Sequence, residues 1–180
     1  MTLRNRSSGY GVVSRVLHWL MALAIPAMFA LGLWMRSLDY YSPYYKSAPD
    51  LHKSIGLVLL ALLVLRFIWR QFNVEPDTSH LSPFERFASI VVHLGLYGLL
   101  LALFVSGYLI STADGRPIEI FGVISLPATL QLPHQEDIAG NVHAWLAYVV
   151  IGLSALHALA ALKHHFIDRD RTLGRMWSGS

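Results

Sequence analysis

His143 and His157 lie fourteen residues apart on one apolar stretch. Fourteen residues is nearly four α-helical turns, so a helix there points both imidazoles to the same face, roughly 21 Å apart. That separation is most of a hydrocarbon layer about 30 Å thick. Neutral imidazole is a usual protein ligand for haem iron, and polar groups inside a membrane are expensive enough to mark function. A helix holding one ligand near each membrane surface can carry two haems stacked across a bilayer. The spacing points to electron transfer.

Composition agrees that the solvent is lipid. Hydrophobic residues make up 54% of the 180-residue chain and charged residues only 14%, against roughly 25% charged in a soluble domain. The mean hydropathy is +0.48. The length fits one domain, residues 1–180, without a separate soluble catalytic unit. There is no cysteine, which excludes disulfides, iron–sulfur clusters and covalent haem attachment. Any haem is therefore b-type, held by axial ligands and packing. The pI near 9.3 is no nucleic-acid signal, because the basic residues cluster at the ends of apolar segments.

Four segments are long enough to span: about Ser14–Met35, His52–Trp69, Phe84–Ser111 and Ile138–Ile167. Pro26 is tolerable in the first, where neighbouring helices re-satisfy the freed carbonyl. That segment is too long and lacks the small-residue site expected of a cleavable signal. The N-terminal arm, the second-to-third connection and the C-terminal tail hold Arg4, Arg6, Arg15, Arg66, Arg70, Arg86, Lys163, Arg169, Arg171 and Arg175. The other two connections hold Arg36, Lys46, Lys53 and Arg116. Ten against four predicts both termini in the cytoplasm. Tyr10, Trp34, Tyr40, Tyr41, Tyr44, Tyr45, Trp69 and Trp177 stand where interfacial belts are expected. The fold expected is all-α: an integral membrane antiparallel four-helix bundle with two b-type haems.

Depth then sorts the histidines. A six-coordinate haem needs two ligands at one level on facing helices. His52 with His143 meets that demand on the outer side, and His157 with either His18 or His93 on the inner side. Gly56, Gly95, Gly140 and Gly152 lie beside these positions, and small residues let backbones and flat macrocycles approach. Arg15, Arg66 and Arg70 are candidates for propionate contacts, or serve as positive-inside anchors. His80 and His134 fall in connections, and His164 and His165 at the cytoplasmic boundary.

The run Arg15-Val16-Leu17-His18-Trp19, His52 with Gly56 and Arg66, and His93 with Tyr97 and Gly107 resemble bacterial cytochrome b561. So do His143 with His157 followed by His164-His165, the outer segment Gly115-Arg116-Pro117 with Phe121-Gly122 and Pro127, and the tail Asp168-Arg169-Asp170 with Leu173 and Arg175-Met176. The resemblance covers nearly the whole chain in one order. It implies an inner-membrane protein with two haem b, exchanging electrons with ubiquinone. It assigns the outer haem to His52 and His143 and the inner one to His18 and His157, favouring His18 over His93. It further implies oxidation of periplasmic superoxide to oxygen, as a close relative performs.

Superoxide needs only an exposed haem edge and a field that attracts anions. Lys46, Lys53, Arg116 and His134 are candidate guides, although the outer connections also carry Asp39, Asp50, Asp114, Glu119, Glu136 and Asp137. His93, His164 and His165 are candidates for quinone contact or proton delivery. Two other readings remain at the level of sequence: a cytochrome subunit relaying electrons between quinone and a hydrogenase or similar dehydrogenase, and a haem-free transporter using the histidines as a relay.

Overall fold

A computed structural model describes residues 2–179. The element order is α1 (Val12–Arg36), α2 (Ser47–Gln71), α3 (Pro83–Ser111), β1 (Ile118–Ile120), β2 (Ile124–Leu126), α4 (Gln135–Phe166) and α5 (Thr172–Trp177). The protein is mostly helical, and α1 to α4 are each long and apolar enough to cross a membrane, with mean hydropathies from 1.9 to 2.2. Leu23, Leu94, Leu156 and Trp145 on these helices are all more than 60% exposed. In water that much bare apolar surface would drive association; in a bilayer it is the solvated face.

Polar residues extend the helices past the apolar runs. α2 begins at Ser47 rather than at His52, with Pro49 in its first turn, where no helical N–H is lost, and Asp50 against the helix dipole. His52 therefore sits in the second turn. α4 likewise begins at Gln135, with Glu136 and Asp137 in its first turn. At the start of α3 the Ser82 N–H donates to Glu85 Oε2 at 3.1 Å and the Glu85 N–H donates to Ser82 Oγ at 3.3 Å. This capping box, with Pro83 as the first helical residue, fixes where the helix starts.

The chain divides into two compact units. One comprises Met1–Leu23, Leu62–Tyr97 and Gly152–Ser180, and the other Ala24–Ala61 and Gly98–Ile151. Each takes a segment from all four long helices. The first also holds α5, whose Trp177 packs edge-on against Trp19 with ring centres 5.2 Å apart. The Trp19 indole donates to the Met176 carbonyl at 3.0 Å, tying the tail to α1. The second holds the hairpin, in which Ile118 pairs with Leu126 and Ile120 with Ile124.

Candidate functional site

In the Ala24–Ala61/Gly98–Ile151 unit, α2 and α4 bring His52 and His143 together, with ring centres 6.3 Å apart. Both line an apolar cavity of about 320 Å³, whose wall includes Phe29, Leu57, Phe104 and Ile118. Nδ1 of His143 lies 3.0 Å from the Leu103 carbonyl oxygen and 3.1 Å from Ser106 Oγ. The Ser106 hydroxyl itself donates to that carbonyl at 2.8 Å. A carbonyl only accepts, so Nδ1 of His143 carries the proton and Nε2 keeps its lone pair. Nδ1 of His52 is buried without a hydrogen-bond partner, an unusual state for a polar atom in an apolar surround.

Two glycines shape this pair. A Cβ at Gly107 would stand 3.1 Å from Cε1 of His143, and one at Gly32 would stand 3.3 Å from Cε1 of His52. Each imidazole is thus backed by a helix surface with no side chain. Gly56, which lines the cavity, faces open space.

In the other unit three histidines converge. His18 and His157 have ring centres 6.3 Å apart, and His93 and His157 stand at 5.2 Å. The Arg66 guanidinium lies 3.0 Å from Nδ1 of His18, and Ser89 Oγ lies 3.3 Å from Nδ1 of His93. Of the three candidate arginines only Arg66 contacts one of these histidines. Arg15 donates to the Ser178 carbonyl while its Nε is buried without a partner among the described residues. Arg70 is paired with Glu75.

His164 and His165 stand apart from the three. Nδ1 of His164 contacts Asp170 Oδ2 at 2.8 Å and Asp168 Oδ2 at 3.0 Å. Lys163 bridges Glu85 and Asp168 at 3.0 and 2.7 Å, clasping the end of α4 to the start of α3. Burial raises the Asp170 carboxyl, but the Thr172 N–H and hydroxyl and the His164 imidazole outweigh it and hold the group below the usual carboxylate value. His165 is exposed and packs on Phe166.

The candidate anion guides are largely neutralised. Lys53 pairs with Asp50 at 2.8 Å and Arg116 with Asp114 at 3.2 Å. Lys46 and His134 are exposed. Residues that sequence reasoning passed over are Gly32, Ser54 and Ser106. Their roles come from contacts with distant segments, and no local pattern marks them.

Membrane-length helices carrying imidazole pairs beside an apolar cavity define a class, the membrane cytochromes. The family model described as prokaryotic cytochrome b561 matches residues 9–179. Cytochrome b561 homolog 2 of Escherichia coli (strain K12) is 51% identical over 178 residues, covering 98% of this chain and 95% of that protein. The probable superoxide oxidase CybB of Yersinia pestis is 31% identical over 179 residues, covering 93% and 94%. Cytochrome b561 homolog 1 of Escherichia coli (strain K12) is 27% identical over 161 residues, covering 89% and 92%. The chain belongs to the prokaryotic cytochrome b561 family. It is a bacterial membrane protein of electron transfer, its four apolar helices are those of a cytochrome b561 helical bundle, and the family implies b-type haem.

The residues present fit such a group. The donors are neutral nitrogens in an apolar cavity, one with its other nitrogen satisfied by a carbonyl. Small residues back both rings, and with no cysteine in the chain the only attachment is axial.

Proposed function

We propose that this protein carries electrons across the bacterial inner membrane from a small periplasmic donor to ubiquinone, holding two haem b. His52 and His143 are the ligands of one, and His18 and His157 of the other. The single observation that carries this reading is the repeated 6.3 Å separation of the two histidine pairs. Two imidazoles that held one first-row metal ion between them, each through a bond of about 2.0–2.1 Å, would have ring centres about 6 Å apart. The 5.2 Å between His93 and His157 is too short for that arrangement, which supports His18 as the ligand and leaves His93 for quinone or proton contact. Bound haem supplies reversible one-electron chemistry at its iron.

The protein's own residues do the rest. Leu103 fixes the tautomer and orientation of His143. For His18 to bind iron through Nε2, its Nδ1 must carry the proton, so Arg66 must turn from Nδ1 to an anion. A haem propionate would supply that anion. Arg15 is a second propionate candidate through its unpartnered Nε, and Arg70 is held by Glu75. His164 and His165, at the end of α4, are candidates to hand protons to quinone from the cytoplasmic side, where the basic residues put both termini. We read residues 1–180 as one functional domain.

The donor we favour is superoxide. Two superoxide ions each give up one electron to become oxygen, and ubiquinone takes the two electrons with two protons. Support comes from the relative named as a probable superoxide oxidase. A second reading, a relay fed by a partner dehydrogenase or hydrogenase, is favoured by the pairing of Lys53 and Arg116 with neighbouring acids, which weakens anion steering. The discriminating experiment mixes purified haem-loaded protein with a superoxide source and ubiquinone across a salt series. Rapid ubiquinol formation that slows between 0.01 and 0.1 M salt, as the Debye length shrinks from about 30 to about 10 Å, supports the superoxide reading. Slow, salt-insensitive reduction together with co-purification of a large redox subunit would replace it with the relay.

A further inference from the structure

Ser54 is 2% exposed, yet its hydroxyl serves three backbone groups. It donates to the Asp50 carbonyl at 2.8 Å, lies 3.4 Å from the Glu119 carbonyl, and accepts the Phe121 N–H at 3.0 Å. The contact with Asp50 is the ordinary back-bond of a helical serine. The other two reach a hairpin more than sixty positions along the chain. Phe121 occupies the first position of its turn with φ 50, a left-handed backbone that a bulky residue adopts only when held there. The turn closes through the Val123 N–H to the Ile120 carbonyl at 3.0 Å.

The hairpin has two dissimilar ends. Ile118, 3% exposed, is part of the wall of the cavity that holds His52 and His143. Phe121, Val123 and Ile124 at the tip are all more than half exposed. Such short strands do not hold themselves in place. Ser54, two residues after His52 on α2, pins the tip through the Phe121 N–H, while the Tyr108 hydroxyl holds the chain beyond β2 at the Pro127 carbonyl.

We propose that Ser54 is a latch that fixes the hairpin at the wall of the His52–His143 cavity, and is thereby a specificity-determining position that keeps bulky electron donors out while small ones reach it. The inference rests on the reading of that cavity as the donor side. It does not depend on which small donor is used.

The test uses haem-loaded protein in detergent with the variants Ser54→Ala, Ser54→Thr and Phe121→Gly. Ser54→Ala removes the acceptor of the Phe121 N–H, so amide exchange at that position should quicken roughly five-fold. Ser54→Thr keeps a hydroxyl and should restore protection. Phe121→Gly relieves the left-handed strain and keeps the N–H bond, so exchange there, corrected for its intrinsic rate, should not rise. Reduction by a bulky donor, a reduced c-type cytochrome, should rise several-fold in Ser54→Ala, with reduction by superoxide unchanged. A merely loosened protein would lose both rates. Unchanged exchange at position 121 in Ser54→Ala overturns the latch, and faster exchange with an unchanged ratio of the two donors overturns its role in specificity. Failure of superoxide to reduce the wild type counts against the proposed donor alone, because exchange still decides the latch, and the rate with the c-type cytochrome in Ser54→Ala against wild type still decides its role in specificity.

Discussion

Nδ1 of His143 donates its proton to the carbonyl of Leu103 at 3.0 Å. That bond places the free lone pair on Nε2 and holds the ring from behind, the second contact that a ligating histidine normally has. In this chain a residue on α3 thus prepares a residue on α4.

On the proposed ligation, removal of either member of the His52–His143 pair should lower the haem content from two per chain to one. His52→Ala and His143→Ala should give the same residual spectrum, that of the other haem. A pyridine haemochrome assay with low-temperature absorption measures both. Different residual spectra from the two variants would break the pairing.

The inner assignment is tested by contrast. His18→Ala should lose one haem and His93→Ala should keep two, because only the His18–His157 spacing matches the outer pair. The reverse pattern would move the ligand to α3.

Gly107→Ala puts a methyl group 3.1 Å from the His143 ring. Crowding of this kind costs about 1–3 kcal/mol, so haem retention at that site should weaken roughly tenfold or more in competition with apomyoglobin. Gly98→Ala, where among the described residues no heavy atom beyond the local helix backbone lies within 4 Å of the added carbon, should leave retention unchanged. Equal behaviour of the two variants would remove the close approach as a cause.

Asp170 sets a pH limit on the C-terminal segment. Its carboxyl is held below the usual value, so the stabilisation is fully present above the ordinary carboxylate range and is lost as pH falls through the lowered folded value. Exchange protection of the Thr172 N–H, which donates to Asp170 Oδ1 at 2.7 Å, should fall as the medium is acidified into that range. Asp170→Asn should weaken it at neutral pH and flatten the dependence. A variant with wild-type protection at neutral pH would show that Asp170 does not anchor the segment.

Orientation is open to direct labelling, because the chain has no cysteine. A single cysteine at Ser42 or Thr129 should react with an impermeant thiol reagent in intact cells, and one at Thr78 should not. Labelling at Thr78 alone would invert the topology.

The spans and the histidine pairs were legible because both depend on local periodicity: apolar length for α1 to α4, and a fourteen-residue spacing on α4. Spacing along the chain leaves His18 and His93 as alternative partners of His157, since both lie near it; the family resemblance favours His18, and the 6.3 Å distance between helices supports the same reading. The hairpin escaped notice. Three-residue strands such as Ile118-Glu119-Ile120 carry too little alternation to stand out, and their anchor, Ser54, looks like any helical serine. The pairing of Lys53 with Asp50 follows from helical spacing, and it involves a charge that the sequence offers as a candidate anion guide.

Both histidine pairs take one member from α4, the last long helix in the chain. On the ribosome His18 and His52 emerge early and wait without partners, and neither pair can close until α4 has been made and inserted. On the ligation proposed above, cofactor loading would be a late step in biogenesis. A chain stalled before α4 would then hold only one histidine of each pair.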